Sequence, residues 1–211
     1  MVCALVLLLG LLNPFNKAFS VTIDQVLNRI QFFYQNIQTI NGSFVQKVEA
    51  PDNKTKLSKG EFWIQKPKKF KWLYESPEKI LFLYDGTKFF IYYIEEKYLA
   101  VFSSPKEFSF ELPLELLTDS SSFHKNFKLE SFKIIEKDYW KLNFVPLKKS
   151  LIERISVIVN LHTGEIKKMI LFHATGERLF LTFQNIFYNK KLPPDLFQLK
   201  VPEDIEIEII N

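Results

Sequence analysis

Residues 80–94 have the sequence ILFLYDGTKFFIYYI, which predicts two strands joined by a tight turn at Asp85-Gly86. Asp-Gly between two apolar runs is a strong β-hairpin signal, because both residues tolerate the positive φ that such a turn requires. A strand with one face in water alternates apolar and polar residues. Neither strand of this hairpin alternates, so both of its faces require cover.

Two arrangements can cover both faces of these strands. In the first, the hairpin belongs to a densely filled β core packed against other strands. In the second, one face packs on protein and the other encloses an apolar ligand. The chain carries 22 Phe among its 211 residues, and 16% of all residues are aromatic, a composition that suits either arrangement. The pattern of residues alone leaves both open.

Further strands are predicted on both sides of this hairpin. Turn signals at Lys137-Asp138, at residues 162–164 and at Thr175-Gly176 separate runs rich in β-branched and aromatic residues. The chain has roughly ten such runs at the spacing of a meander. This pattern predicts one large antiparallel sheet that curls toward a barrel.

Helical patterns are few. Thr22 and Gln25 form a capping-box pair, and the apolar residues that follow, up to Ile37, recur at helical spacing. We expect this helix to stop before Asn41-Gly42. A second, short helix is predicted at residues 112–117. One or two helices cannot cover both faces of a large sheet. Other strands or an apolar ligand must therefore cover the rest of its apolar surface.

The N-terminal residues 1–20 are predicted to be a secretory signal peptide. An apolar run extends to Leu12, and Ala18 and Ser20 supply small residues at the −3 and −1 positions of a cleavage site before Val21. An uncleaved anchor is the alternative, although the run is short for a bilayer span. We therefore expect an exported protein with a single domain at residues 21–211.

The residues that carry chemistry are sparse. His124, His162 and His173 have no metal-ligand spacing, and the only cysteine, Cys3, lies in the predicted signal. The cluster at residues 119–124 has serine, aspartate and histidine but is polar and loop-like, as expected of a solvated surface. No metal, no cofactor and no enzymatic activity are predicted. The formal net charge of +4 and the absence of long lysine clusters argue against nucleic acid as a partner.

An ordered series of segments runs along the chain after the predicted signal. These segments are residues 43–47, 60–67 and 70–72, Pro77, Asp85-Gly86 with the aromatic strand that follows, and residues 182–185 and 194–197. Together they resemble the LolA family of periplasmic outer-membrane lipoprotein carrier proteins, and the resemblance spans most of the chain after the predicted signal.

The resemblance implies an unclosed, strongly curved antiparallel β half-barrel covered by a helical lid. It also implies a function. Members of the family hold the acyl chains of lipoproteins in the cavity between sheet and lid. They take them from an inner-membrane ABC transporter and deliver them to an outer-membrane acceptor, where one exists. On this basis we expect a monomer whose apolar second face is a lipid-binding wall.

The resemblance also assigns residues. The lipid-binding cavity is expected to be lined by Phe44, Phe62, Ile64, Phe70, Trp72, Phe90 and Tyr92. The lid is expected to present Leu114, Leu116 and Leu117 to the cavity. Phe70 matches an aromatic residue at the cavity entrance. Lys66 occupies the position of an arginine that tethers the closed lid, but lysine offers a point charge where arginine offers a planar fork of donors.

Other classes of protein remain as alternatives. Each predicted cavity residue can instead belong to an ordinary core, and Lys66 can be a plain turn residue. An outer-membrane acceptor of the same fold would need a lipid-modified cysteine after the signal, which is missing. A related lipid-binding or lipoprotein-sensing domain of this fold is the main alternative. A periplasmic hydrolase would need a nucleophile or metal constellation that the sequence does not offer.

Overall fold

The structure is a computed structural model, and it describes residues 21–103, 117 and 126–210. Within these ranges the chain forms a helix followed by twelve strands. The helix is α1 (Ile23–Gln35), and the strands are β1 (Thr39–Glu49), β2 (Thr55–Gln65), β3 (Lys69–Ser76), β4 (Ile80–Tyr84), β5 (Phe89–Tyr93), β6 (Tyr98–Phe102), β7 (Phe127–Glu136), β8 (Tyr139–Pro146), β9 (Ile152–Asn160), β10 (Ile166–His173), β11 (Arg178–Tyr188) and β12 (Glu206–Ile210).

All twelve strands belong to one sheet, in the order β12-β6-β5-β4-β3-β2-β1-β11-β10-β9-β8-β7. The order ends at β7 and β12, so the sheet is not closed, as the family resemblance predicts. Neighbouring strands are antiparallel, with one exception. Strand β12 pairs parallel to β6, with Glu206 opposite Tyr98 and Ile210 opposite Phe102. The predicted antiparallel sheet is therefore confirmed, with a parallel pairing at this one edge.

The sheet curves around α1. Trp72 on β3 and Trp140 on β8 belong to one buried apolar cluster together with Val26, Ile30 and Tyr34 of the helix. Strands β3 and β8 are six steps apart in the sheet, which is about 29 Å if the sheet were flat. A helix is only about 10–12 Å across with its side chains. The sheet is an open half-barrel, and α1 packs in this cluster on its concave face.

The convex face has a different cover. Residues 189–205, which we call the C-terminal arm, cross this face between β11 and β12. Phe197 of the arm is buried against Leu83, Tyr92 and Leu99, and other apolar residues of the arm pack around it. The arm delivers the chain to the edge of β6 in the direction of β6, which explains why β12 is parallel.

The boundaries of α1 and β1 refine the predictions. The capping box of Thr22 and Gln25 is confirmed, with both of its hydrogen bonds present. The helix ends at Gln35, and Asn41-Gly42 already belongs to β1, at an irregularity in the pairing with β11. Gly42 suits this position because a Cβ there would lie 2.9 Å from the carbonyl oxygen of Gln184. The predicted turns at Asp85-Gly86, 162–164 and Thr175-Gly176 are confirmed.

Several predictions fall on other parts of the chain. The predicted signal peptide, the cluster at 119–124 and the predicted short helix, apart from Leu117, lie outside the described residues. In the part of the chain that is described, no helix combines the length and apolar character that a bilayer crossing requires.

Candidate functional site

A row of aromatic side chains lines the concave face under α1. The ring of Phe44 lies 4.3 Å from that of Trp72, centroid to centroid, and Phe62 stacks on Trp72 at 5.2 Å. Phe183 of β11 meets Phe62 edge-on at 5.4 Å. All four side chains are buried. This part of the concave face is therefore a filled core between the sheet and α1.

A second apolar cluster continues the concave face across β4, β5 and β6. Its buried members are Phe89, Ile91 and Ala100. Phe70 and Phe82 pack against both clusters and so connect them. The ring of Phe70 is 5.8 Å from that of Phe89, and Phe82 stacks on Phe89 at 6.2 Å. No residue of α1 belongs to this second cluster as described, so α1 covers only one half of the concave face.

The structure brings five of the seven predicted cavity residues together and excludes two. Phe44, Phe62, Ile64, Phe70 and Trp72 all pack in or against the cluster under α1. The other two, on β5, pack in the convex cluster beneath the C-terminal arm.

Phe90 and Tyr92, which the resemblance assigns to the cavity wall, instead pack in the convex cluster with Phe197 of the C-terminal arm. Side chains alternate between the faces of a strand, so Phe89 and Ile91 occupy the concave side of β5 in their place. Because every residue of β5 is apolar or aromatic, its composition does not distinguish the two faces.

The residues that the prediction missed are Phe82, Phe89 and Ile91, and one signal could have found them. In a hairpin with a short turn, residues equally far from the turn face each other and share a face. Tyr84 pairs with Phe89 and Phe82 with Ile91 across the Asp85-Gly86 turn. Once one of these residues is placed on the concave face, the others follow.

An open cavity of about 190 Å³ lies at the end of the concave face away from the C-terminus of α1. Tyr74, Ile80 and Phe82 supply much of its apolar wall, and the Lys56–Glu78 ion pair lies at its rim. The hydroxyl of Tyr74 donates a 2.8 Å hydrogen bond to Gln46, and burial raises the pKa of Tyr74 to about 12. Ligand cavities usually have about 300–1,000 Å³. The present cavity is therefore smaller than a site for a whole acyl chain.

Hydrogen bonds to backbone atoms fix α1 on the sheet. The Nζ atom of Lys66 donates to the carbonyl oxygen of Tyr34 at 2.5 Å, at the C-terminal end of the helix. A cation at this position also complements the helix dipole. Arg29 donates to the carbonyl oxygen of Leu161 at 2.6 Å. At Gly164, φ is +83°, and a Cβ would lie 2.5 Å from the carbonyl oxygen of Arg29. The helix thus contacts the β9–β10 turn at backbone distance.

A buried polar network adds to this attachment. The hydroxyl of Tyr34 accepts a 3.1 Å hydrogen bond from the backbone N–H of Ile166. The hydroxyl of Tyr188 donates to Glu165 at 2.8 Å. Burial raises the pKa of Tyr34 and of Tyr188 far above the usual value for tyrosine. Both phenols therefore stay protonated at physiological pH and hold the network in one state.

Only one of the three predicted lid residues is described. Leu117 is buried and belongs to the apolar cluster under α1, so it contacts the concave side of the molecule. Leu114 and Leu116 lie outside the described residues. The role of all three as a lid stays a prediction.

The chemistry of the concave face is that of an apolar container. Among the described residues there is no group of three or more His, Cys, Asp or Glu side chains that could hold a metal ion. His162 contacts Asp138 at 2.9 Å, and both side chains are exposed. What this face offers a ligand is apolar surface with a few hydroxyls at its edge.

Comparison with known sequences finds a family and relatives that match most of the chain. The family described as "Outer membrane lipoprotein carrier protein LolA" matches residues 35–200. An outer-membrane lipoprotein carrier protein from Nitrosospira multiformis is 24% identical over 189 residues, covering 89% of this chain and 90% of the relative. One from Legionella pneumophila (strain Corby) is 28% identical over 196 residues, covering 91% and 92%.

Comparison with solved structures supports the fold. An uncharacterized conserved protein from Thermus thermophilus has a TM-score of 0.57 at 10% sequence identity, covering 89% of this chain and 98% of that one. A putative outer membrane lipoprotein-sorting protein domain from Vibrio parahaemolyticus has a TM-score of 0.50 at 11% identity, covering 82% and 95%. At such identities the likeness concerns the open, curved sheet alone.

Proposed function

Because the chain belongs to the LolA family of outer membrane lipoprotein carrier proteins, we propose that it carries the acyl chains of lipoproteins on the concave face of its sheet. It takes them from an inner-membrane ABC transporter and delivers them through the periplasm to the outer membrane. Proteins of this family are carriers and not enzymes. The export signal at residues 1–20, with cleavage after Ser20, is part of this proposal.

The observation that carries the proposal is the two-part concave face. Under α1 the aromatic row is a filled core, whereas the cluster of Phe89, Ile91 and Ala100 continues the same apolar surface beyond the helix. Phe70 and Phe82 lie where the two parts meet. An acyl chain that enters beside these two rings would exchange water for apolar contacts along a continuous wall.

The energy of transfer explains why a container is needed. Each methylene removed from water contributes about 0.8 kcal/mol, so a chain of about sixteen carbons would cost on the order of 12 kcal/mol to expose. A wall of rigid rings suits this task, because rings hold a gap open better than flexible side chains do. The observed cavity of about 190 Å³ is small. Loading therefore requires that a cover moves, and Leu114, Leu116 and Leu117 remain our proposed lid.

Lys66 is proposed to act as the tether of the closed state, through the C-terminal end of α1. Replacing it with methionine (Lys66→Met) removes the donor to the Tyr34 carbonyl while keeping the length of the side chain. We expect the free energy of unfolding to fall by about 1.5–3 kcal/mol, the usual range for a hydrogen bond to a charged group. A soluble fatty-acyl probe should enter faster. Chemical denaturation and stopped-flow fluorescence measure the two effects.

The matched controls are Lys59→Met, which removes an exposed lysine of β2, and Lys66→Arg, which restores the arginine of the family. Lys59→Met should change neither quantity, and Lys66→Arg should behave like the wild type. If Lys66→Met lowers stability without altering probe entry, Lys66 is a structural residue and not a tether.

The proposed function is tested by native mass spectrometry of protein recovered from the periplasm, followed by titration with a fluorescent fatty-acyl probe. We expect bound lipid or lipopeptide in the spectrum, and saturable probe binding that an unlabelled lipopeptide displaces. Protein that carries no lipid and takes up no probe would contradict the proposal.

A further inference from the structure

Five exposed lysines gather at one end of the sheet, and we call them the lysine rim: Lys68, Lys69, Lys88, Lys190 and Lys191. None of them forms an ion pair with a described carboxylate. At the opposite end two lysines are paired, because Lys54 contacts Asp52 at 2.6 Å and Lys56 contacts Glu78 at 3.1 Å. The rim therefore carries charge that the fold leaves uncompensated.

Hydrogen bonds hold the segments of the rim together. The backbone N–H of Lys66, at the β2–β3 turn, donates to the carbonyl oxygen of Gln38 at 2.9 Å. The backbone N–H of Gln38 donates to the side-chain oxygen of Asn189 at 2.7 Å. The hydroxyl of Thr39 donates to the carbonyl oxygen of Lys190 at 2.7 Å. The β2–β3 turn, the start of β1 and the end of β11 thus form one surface.

The β4–β5 turn completes the rim and contributes its single acidic residue. The side chain of Lys69 lies 3.7 Å from the position that a Cβ of Gly86 would take. Asp85 accepts hydrogen bonds from the backbone N–H groups of Thr87 and Lys88, which lower the pKa of its carboxyl and keep it ionised. Asp85 lies near Lys69, so the rim as defined carries five positive charges beside this one negative charge.

Exposed aromatic residues accompany the charge. Phe32, on the outer side of α1 two residues before Tyr34, has 69% of its surface exposed. Phe187, next to the end of β11, is 49% exposed. Tyr34 is the residue whose carbonyl binds Lys66, so both aromatic side chains lie at the same end of the molecule as the rim.

We propose that the lysine rim docks this protein on a membrane surface of anionic phospholipids. All five cations are lysines, which are strongly hydrated point charges on flexible stems. Protein interfaces are depleted of lysine and favour arginine, whereas a fluid array of headgroup phosphates is attracted by clustered lysines and by exposed aromatic rings. The docking uses neither the concave face nor an acyl ligand, and so goes beyond the carrier function.

The test is cosedimentation of the protein purified from the periplasmic fraction with sucrose-loaded vesicles. One set contains equal parts of phosphatidylglycerol and phosphatidylcholine, and the other contains phosphatidylcholine alone. We expect binding to the anionic set only, lost as the salt rises from about 0.05 M to about 0.5 M because the charges are screened. The double variant Lys190→Gln/Lys191→Gln should lower the partition coefficient roughly 30-fold, about fivefold for each lysine.

A matched control has the same change of charge at the other end of the sheet. Lys148→Gln/Lys149→Gln alters two exposed lysines between β8 and β9 and should lower binding by less than about threefold, since screening limits long-range attraction. Phe32→Ser should weaken binding without changing its salt dependence.

Three results would overturn the proposal. They are equal binding to both vesicle sets, equal loss in the two double variants, and no vesicle binding by a protein that instead cross-links through the rim to an acidic protein. Uptake of a soluble acyl probe is measured without vesicles, so failure of the carrier function would be seen separately.

Discussion

Replacing Phe70 with glutamate is expected to weaken the binding of a fatty-acyl probe by about 100-fold, which corresponds to about 2.7 kcal/mol. Phe70 is half-buried where the two apolar clusters of the concave face meet, with its ring 6.0 Å from Tyr84 and 5.8 Å from Phe89. A bound acyl chain would strip water from the new carboxylate and give it no partner. Fluorescence titration of the probe measures the loss.

The same variant has a second signature, which is its pH dependence. An apolar wall raises the pKa of a carboxyl group, because burial penalises the charged form. The variant should therefore regain part of its affinity as the pH is lowered from about 7 to about 5, where the carboxyl becomes neutral. Leu57→Glu, which places the same charge on an exposed site of β2, should bind the probe like the wild type. Unchanged affinity in Phe70→Glu would remove Phe70 from the site.

The second large effect is expected at Gly164. Replacing it with alanine should lower the free energy of unfolding by about 2–5 kcal/mol. About 1–2 kcal/mol comes from a side chain in the left-handed region, because φ is +83° at this glycine. The rest comes from the clash of the new Cβ with the backbone of α1, where Arg29 and Ile30 would lie 2.5–2.8 Å away. These are backbone atoms of α1, the carbonyl group of Arg29 and the nitrogen of Ile30, so they cannot move unless the helix itself shifts. Overpacking of this kind costs about 1–3 kcal/mol.

Gly176 provides the matched control. Its φ is +87°, nearly the same as at Gly164, but the nearest atom to a Cβ there would be the Pro51 ring at 3.3 Å. Gly176→Ala should therefore cost only the backbone strain, about 1–2 kcal/mol. The difference between the two variants, measured by urea denaturation, isolates the contact between α1 and the β9–β10 turn. Equal losses would mean that this contact does not contribute to stability.

The sequence predicts local structure well where local chemistry decides it. The capping box at Thr22 and the Asp85-Gly86 turn are both present in the structure, because each depends on residues within a few positions of one another. Phe44, Phe62 and Trp72 lie together in one buried cluster, as the resemblance to the LolA family implies, although their strands do not alternate strictly between apolar and polar residues.

The sequence does not predict which residues line the site on a strand whose two faces are equally apolar. On β5, Phe90 and Tyr92 are as apolar as Phe89 and Ile91, so only the C-terminal arm decides which pair faces away from the cavity. The sequence of the arm has neither the apolar period of a strand nor that of a helix, so it does not indicate where the arm packs. Its anchor, Phe197, is buried against strands about a hundred residues earlier in the chain, and such long-range contacts leave no local pattern.

The attachment of α1 escapes prediction for a related reason. Lys66 and Arg29 donate to carbonyl oxygens of Tyr34 and Leu161. Every residue has a carbonyl oxygen, so the acceptor carries no signal in the sequence. The resemblance to the LolA family implies that Lys66 tethers a lid, but it does not indicate the hydrogen bond that Lys66 donates to the end of the first helix.

The central pairing of the sheet has a consequence for how the chain reaches its native state. Strands β1 to β6 and strands β7 to β11 each form a meander of sequence neighbours, but β1 joins β11, and Ser43 bonds to Gln184 across 141 positions. High contact order slows folding. The two meanders can form early, because their strands are neighbours in sequence, while the seam between β1 and β11 must wait until both meanders are present. Closing this seam is therefore expected to be the slow step in the folding of the sheet.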